Sequence, residues 1–185
     1  MAATKHAQLI KQDSKEYLVT ALLQLLKHND LNQITVSQVV KKAGVSRMAF
    51  YRNFDTLDDL LISYFEPLIT AQFDEVKEKS SKEDKLSKVG EFFVRYADVL
   101  KLSIDRGFEY IIQNIFDDNM LEFYEGLKLP VEITATQHKY WVSFMSAGVY
   151  SIWRVWLING EVESLSSMHD LIAKFQNSTM SSLVN

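Results

Sequence analysis

Apolar residues recur every three or four positions along most of this 185-residue chain, the period of helices that bury one face. Leu18, Ala21, Leu22, Leu25 and Leu26 make the first stripe. Asp13, with Glu16 three residues on, is placed to cap its start, and His28-Asn29-Asp30 to end it. Residues 1–12 are polar apart from Leu9-Ile10, which predicts a frayed arm whose Lys5 and Lys11 either reach a nucleic-acid minor groove or are simply solvated. Further on, Leu57, Leu60, Leu61, Tyr64 and Phe65 share a face behind a capping signal at Asp55-Thr56. Pro67 lies inside this helix and predicts a kink or break near Glu66, because proline removes a helical donor.

The second half continues in the same way. Ser80-Ser81-Lys82-Glu83-Asp84 reads as a loop, and Leu86, Val89, Phe93, Tyr96 and Leu100 as one stripe that stops at Asp105-Arg106-Gly107. Tyr110, Ile111, Ile115 and Phe116 predict another helix. Leu121, Tyr124 and Leu127 predict a short one before a loop from Gly126 to Pro130. The stretch Ala135–Asn159 is apolar on most faces and so must be covered on most faces. Trp141, Met145, Gly148, Ile152 and Trp156 form one side of it, and Tyr140, Phe144, Ala147 and Val155 another. A last helix, with Ser167 and Asp170 as its cap, carries Met168, Leu171, Ile172, Phe175 and Thr179. No alternation of period two lasts long enough for a sheet, so the fold class is all-α.

One stretch, TVSQVVKKAGVSRMAFYRNF from Thr35 to Phe54, holds two short helices and a turn. Thr35 and Gln38 make a capping box, and Val36, Val39, Val40 and Ala43 repeat at helical spacing. Gly44 suits a left-handed helix end, and Ser46 can cap a second helix buried through Phe50 and Phe54. Helix, glycine turn, helix is the layout of a DNA-reading helix-turn-helix.

The same string resembles the DNA-binding motif of TetR-family regulators, with Ala43-Gly44-Val45-Ser46 as the turn and Phe50-Tyr51-Arg52-Asn53-Phe54 closing the recognition helix. The resemblance implies a three-helix DNA-binding head over residues 1–56 and a larger helical effector-binding and dimerisation domain over 57–185. By reach, Arg47 is the candidate for a guanine contact, and Met48 and Ala49 for a thymine methyl. Tyr51, Arg52, Asn53, Thr35, Ser37 and Ser46 are placed for the phosphate backbone. Two positions depart from the family pattern. Met48 stands where a small residue is usual, and Leu57, which cannot neutralise a phosphate, where a lysine is frequent. The resemblance also implies a homodimer on a palindromic operator, joined through the last two helices; Met145, Gly148, Ile152, Trp156, Met168, Ile172 and Phe175 are its candidate contacts. It implies as well an effector, small and hydrophobic or aromatic, received among Phe92, Tyr96, Tyr110, Phe116, Tyr140, Trp141 and Phe144. A body that answers to a protein partner instead is the alternative.

Charge sharpens this picture. The net charge of −4 divides unevenly: residues 1–55 hold eight Lys/Arg against four Asp/Glu, and the remaining 130 hold twelve against twenty. A basic head on an acidic body suits phosphate binding at one end. There is no cysteine, hence no disulfide and no thiolate metal site. No apolar run nears the ~18 residues of a membrane span, and no signal peptide opens the chain, which predicts a cytoplasmic protein with no membrane partner. The four histidines are scattered, and Asp117, Asp118, Glu122 and Glu125 lack a helical Glu-x-x-His companion. No phosphate loop, nucleophile elbow or dinucleotide fingerprint occurs. The expectation is a regulator without cofactor or metal, not an enzyme.

Overall fold

Local capping chemistry sets the starts of five helices in the computed structural model. It describes residues 5–77, 82–126 and 133–183, with side chains over 14–75, 88–126 and 133–183. The described residues form nine α-helices and one 3-10 turn, with no strand. They divide into two compact units, one of residues 1–67 with 102–112, the other of 68–101 with 113–185.

In the first unit, α1 (Lys5–Leu26) starts well before Asp13, so the expected cap at Asp13 is corrected and residues 5–12 of the expected frayed arm are helical; residues 1–4 lie outside the described residues. A 3-10 turn, Leu31–Gln33, leads into α2 (Val36–Ala43). Thr35 and Gln38 close the expected capping box, and Gly44 takes φ +70°, the left-handed conformation glycine adopts without a Cβ penalty. Ser46 Oγ accepts from the Ala49 N–H at 3.1 Å and starts α3, Arg47–Tyr51. Helical bonding continues past α3 as a turn, with Phe54 N–H donating to the Phe50 carbonyl at 3.0 Å. Thr56 and Asp59 bond reciprocally at the head of α4 (Leu57–Lys77). The Thr56 N–H and hydroxyl, with the Asp55 N–H, hold the Asp59 carboxyl below its usual range.

Pro67 does not break α4. The Ser63 carbonyl, whose helical donor Pro67 removes, accepts instead from Lys15 Nζ of α1 at 2.7 Å. Leu18, Leu22, Leu26, Val39, Phe50, Leu60 and Phe65 fill the core of this unit.

Three corrections concern α5 (Lys82–Arg95), α6 (Ala97–Asp105) and α7 (Glu109–Glu125). Lys82-Glu83-Asp84 belongs to α5 instead of a loop, while Ser80 and Ser81 lie outside the described residues. The stripe from Leu86 to Leu100 is two helices interrupted at Tyr96, although Tyr96 N–H still donates to Phe92 and Leu100 N–H to Tyr96. α7 is one helix, not two. Its polar middle is tolerated because Asn119 is buried, with Nδ2 donating to the Ile115 carbonyl at 2.8 Å and lying 3.4 Å from Thr70 Oγ1. Gly107 turns the chain between α6 and α7 at φ +74°. The expected loop after Gly126 falls mostly outside the described residues.

The second unit is built on aromatic packing. Phe93 stacks on Trp153 at 5.5 Å, and Phe116 meets Phe73, Phe93 and Tyr150 each at 5.3 Å between centroids. α8 (Ala135–Ile158) is capped by Thr134 and Gln137. α9 (Leu165–Ser182) is capped by Ser164 rather than Ser167, whose N–H donates to Ser164 Oγ at 3.2 Å. The two run antiparallel, tied by Trp141 Nε1 to Thr179 Oγ1 (3.0 Å) at one end and Trp156 Nε1 to the Glu163 carbonyl (2.9 Å) at the other.

Candidate nucleic-acid interface

The turn at Gly44 and the cap at Ser46 start α3 immediately after α2, and Phe50, fully buried, anchors it. With Phe50 inward, the helical period turns Met48 and Tyr51 outward, and Arg47, at the first position of α3, is exposed as well. Met48 is 74% exposed and Tyr51 48%. The Arg47 guanidinium lies over the Tyr51 ring, 5.8 Å from its centroid, which restrains both side chains at the surface. Arg52, Ser37, Thr35 and Ser46 are exposed as well, and Ala49 is half-buried.

Hydrogen bonding sorts these groups further. The Thr35 and Ser46 hydroxyls are engaged in capping, which leaves the backbone N–H groups opening α2 as the donors best placed for an anion. Asn53 is half-buried and donates Nδ2 to the Ala49 carbonyl at 2.9 Å, so its amide serves the helix end first. Lys41 and Lys42 are exposed at the end of α2. Leu57 is buried at the start of α4, where an apolar side chain packs and a lysine would have to reach out.

The other sequence candidates are dispersed. Phe92 and Phe116 are buried in the aromatic cluster, with Tyr96 beside Phe92 at 5.1 Å between centroids. Tyr110 belongs to the first unit. Its hydroxyl lies 2.5 Å from Asp58 Oδ2, and burial, with Asp58 beside it, pushes it up to about 12. Tyr140 and Phe144, 66% and 62% exposed, line with Trp141 an open groove of about 370 Å³ that also includes Thr136, Gln137, Thr179 and Leu183.

Of the interface candidates, Met145, Trp156, Met168 and Ile172 are buried within the chain, because the pairing of α8 with α9 already covers them. Gly148 and Ile152 are half-buried and Phe175 is exposed. The apolar side chains left outward are Tyr140, Phe144, Val155, Ile158, Leu171 and Phe175. A second groove of about 310 Å³ runs beside Ile152, Val155, Trp156 and Leu171. Periodicity placed Val155 and Tyr140 on a separate face of α8, but could not tell which face the chain itself would cover.

Two interactions escaped sequence reading altogether: the Lys15 bond to Ser63, and the contacts that residues 106–110 make within the first unit. Among the described residues no three His, Asp or Glu side chains are grouped to hold a metal ion, and no helix is long and apolar enough to cross a membrane.

Residues 18–64 match the family model described as bacterial regulatory proteins, tetR family. No curated protein matches the sequence. Among solved structures, the chain is similar to a TetR transcriptional regulator from Streptococcus agalactiae at 20% identity, with TM-score 0.68, covering 91% of this chain and 96% of that one. A fatty acid degradation regulator, FadR, from Bacillus halodurans gives 18% identity and TM-score 0.55, covering 88% and 94%. A dihydroxyacetone kinase operon activator, DhaS, gives 19% and 0.54, covering 93% and 98%. At these identities the likeness to solved structures is one of fold.

Proposed function

We propose, for a chain that belongs to the TetR family of bacterial regulatory proteins, that it represses transcription as a cytoplasmic homodimer on a palindromic operator. The observation that carries this reading is the exposed Arg47–Met48–Tyr51 surface of α3, held between a glycine turn and the buried Phe50. We assign DNA binding to residues 1–56 and dimerisation with effector reception to residues 57–185. Arg47 reads a base edge, Met48 and Ala49 meet a methyl, and Tyr51 and Arg52 hold phosphate. Thr35, Ser37 and Ser46 act through their helix starts, and Asn53 closes α3.

A second copy of the chain is the occupant proposed for the outward faces of α8 and α9. Ala147 and Ser151 are small and exposed between Phe144 and Val155, so two such faces can cross closely. Effector control, through an apolar or aromatic molecule in the second unit, completes the reading. Such a molecule must favour one head spacing over another to change DNA affinity.

The test is anisotropy of labelled duplexes across a salt series, using DNA selected from a random pool by the full-length protein. Saturable binding of two chains per palindrome with a steep salt slope is expected. Arg47→Ala should cost about 1–3 kcal/mol and relax preference at one base pair, while Tyr51→Phe weakens all sites alike. Selection that enriches no sequence would overturn the operator reading.

A further inference from the structure

We propose that Arg106 and Tyr110, more than fifty residues beyond the helix-turn-helix in sequence, are positioning residues for DNA binding. They would hold both flanks of the motif in the arrangement that presents α3. The inference rests on the reading that this head binds DNA.

Residues 102–112 belong to the same compact unit as the head, and their contacts fall on the chain just before and just after the motif. On the upstream side, the Arg106 carbonyl accepts from Leu31 N–H at 2.9 Å, at the start of the turn that feeds α2. Arg106 Nη2 donates to the Lys27 carbonyl at 3.3 Å, and Nη1 lies 3.5 Å from Asp30 Oδ1. A carbonyl just past the end of α1 has no helical donor of its own, and a guanidinium there also meets the negative end of the helix dipole. Arg106 Nε is buried without a partner among the described residues, so the group is set into this corner instead of trailing in water.

Downstream of the motif, Tyr110 donates its hydroxyl to Asp58 Oδ2 at 2.5 Å, in the first turn of α4. Between the two, Phe108 is fully buried and stacks on Phe65 at 6.1 Å with the rings 18° apart. Phe108 is the apolar anchor; Arg106 and Tyr110 fix direction. Two polar ties on opposite flanks restrain the entry to α2 and the exit from α3, and a small rotation at either would swing Arg47 and Tyr51 off their phosphates and base.

A merely stabilising role predicts something different, and conservative variants separate the two. Tyr110→Phe removes one oxygen, and Arg106→Lys keeps the charge but not the fork that reaches both Lys27 and Asp30. In the full-length protein, each variant should weaken binding to the selected duplex by about tenfold, at a temperature where both are fully folded. Binding to a random duplex at low salt should change by less than about twofold, because non-specific attraction depends on charge alone. Asp58→Asn, which keeps a neutral acceptor for Tyr110, should retain more affinity than Asp58→Ala. Asp58→Ala should bind as Tyr110→Phe does, with no further loss when the two are combined. Hydrogen exchange should quicken over residues 35–54 and stay unchanged in α8 and α9.

Wild-type affinity for the selected duplex in both Tyr110→Phe and Arg106→Lys would overturn the proposal, as would equal losses on selected and random DNA. Failure of the wild type to bind any duplex at low salt would instead remove the DNA-binding reading on which it stands.

Discussion

At the residue scale, the tightest constraint in the second unit is Gly90 of α5. A Cβ there would sit well inside van der Waals contact of His169 Nε2 and 2.9 Å from the Trp153 ring. Neither ring can yield easily, since Trp153 is fully buried, stacked on Phe93 and edge-on to His169. Gly90→Ala should therefore destabilise by about 1–3 kcal/mol, the cost of overpacking, instead of gaining helix propensity; urea unfolding measures it. His169 itself is held below the usual histidine value of 6.5, because burial outweighs Asp170 and Glu91, and its Nε2 has no partner. The unfolded chain then binds the proton more readily than the folded one. Stability is full above 6.5 and falls as pH drops from there through the folded pKa. Unfolding free energy measured between pH 7.5 and 5.5 should decline, and His169→Gln should flatten part of that decline. No decline, or the same decline in the variant, would contradict it.

At the element scale, Pro67 marks both what the sequence reveals and what it conceals. The rule that proline removes a donor is correct, but a lysine of a different helix, forty-eight residues before Ser63, supplies the missing one. Lys15→Met should cost about 1–2 kcal/mol by leaving the Ser63 carbonyl unpaired, and far less in a Pro67→Ala background, where the alanine N–H restores the donor. A double-mutant cycle by thermal unfolding gives the coupling; additive losses would refute it. The boundaries that were legible beforehand, at Thr35, Gly44, Ser46 and Thr56, depend on atoms within four residues of one another. Elsewhere the start at Asp13 was misplaced, the break at Tyr96 missed, a break between Phe116 and Leu121 wrongly expected where Asn119 bonds to Ile115, and the cap at Ser167 taken by Ser164. The candidate site divides likewise. The candidates on α3 came from the motif and its local order, whereas Tyr110 was assigned to a pocket because only the folded chain brings it to Asp58.

For the whole molecule, charge and apolar surface make separate demands. The excess of acidic residues beyond position 55 leaves the basic head as the end suited to a polyanion. The outward aromatics of α8 and α9 should be covered by a second copy. Tyr140→Ser with Phe144→Ser is expected to convert the protein to a folded monomer in sedimentation, with unchanged helix content and operator affinity lowered at least about a hundredfold through loss of paired half-sites. A wild-type monomer, or a variant that still dimerises, would rule out that face.

The interleaving of the two units has a consequence for how such regulators can diverge. A single crossover after residue 67 would pass on a reading head without Arg106, Phe108 and Tyr110, which the chain supplies only much later. If Arg106 and Tyr110 position the motif as proposed, exchange of heads between relatives requires two segments to travel together, or the recipient to hold compatible residues at the same corner. On the reading proposed above, new operator preferences are more accessible by point substitution on α3 than by shuffling whole modules.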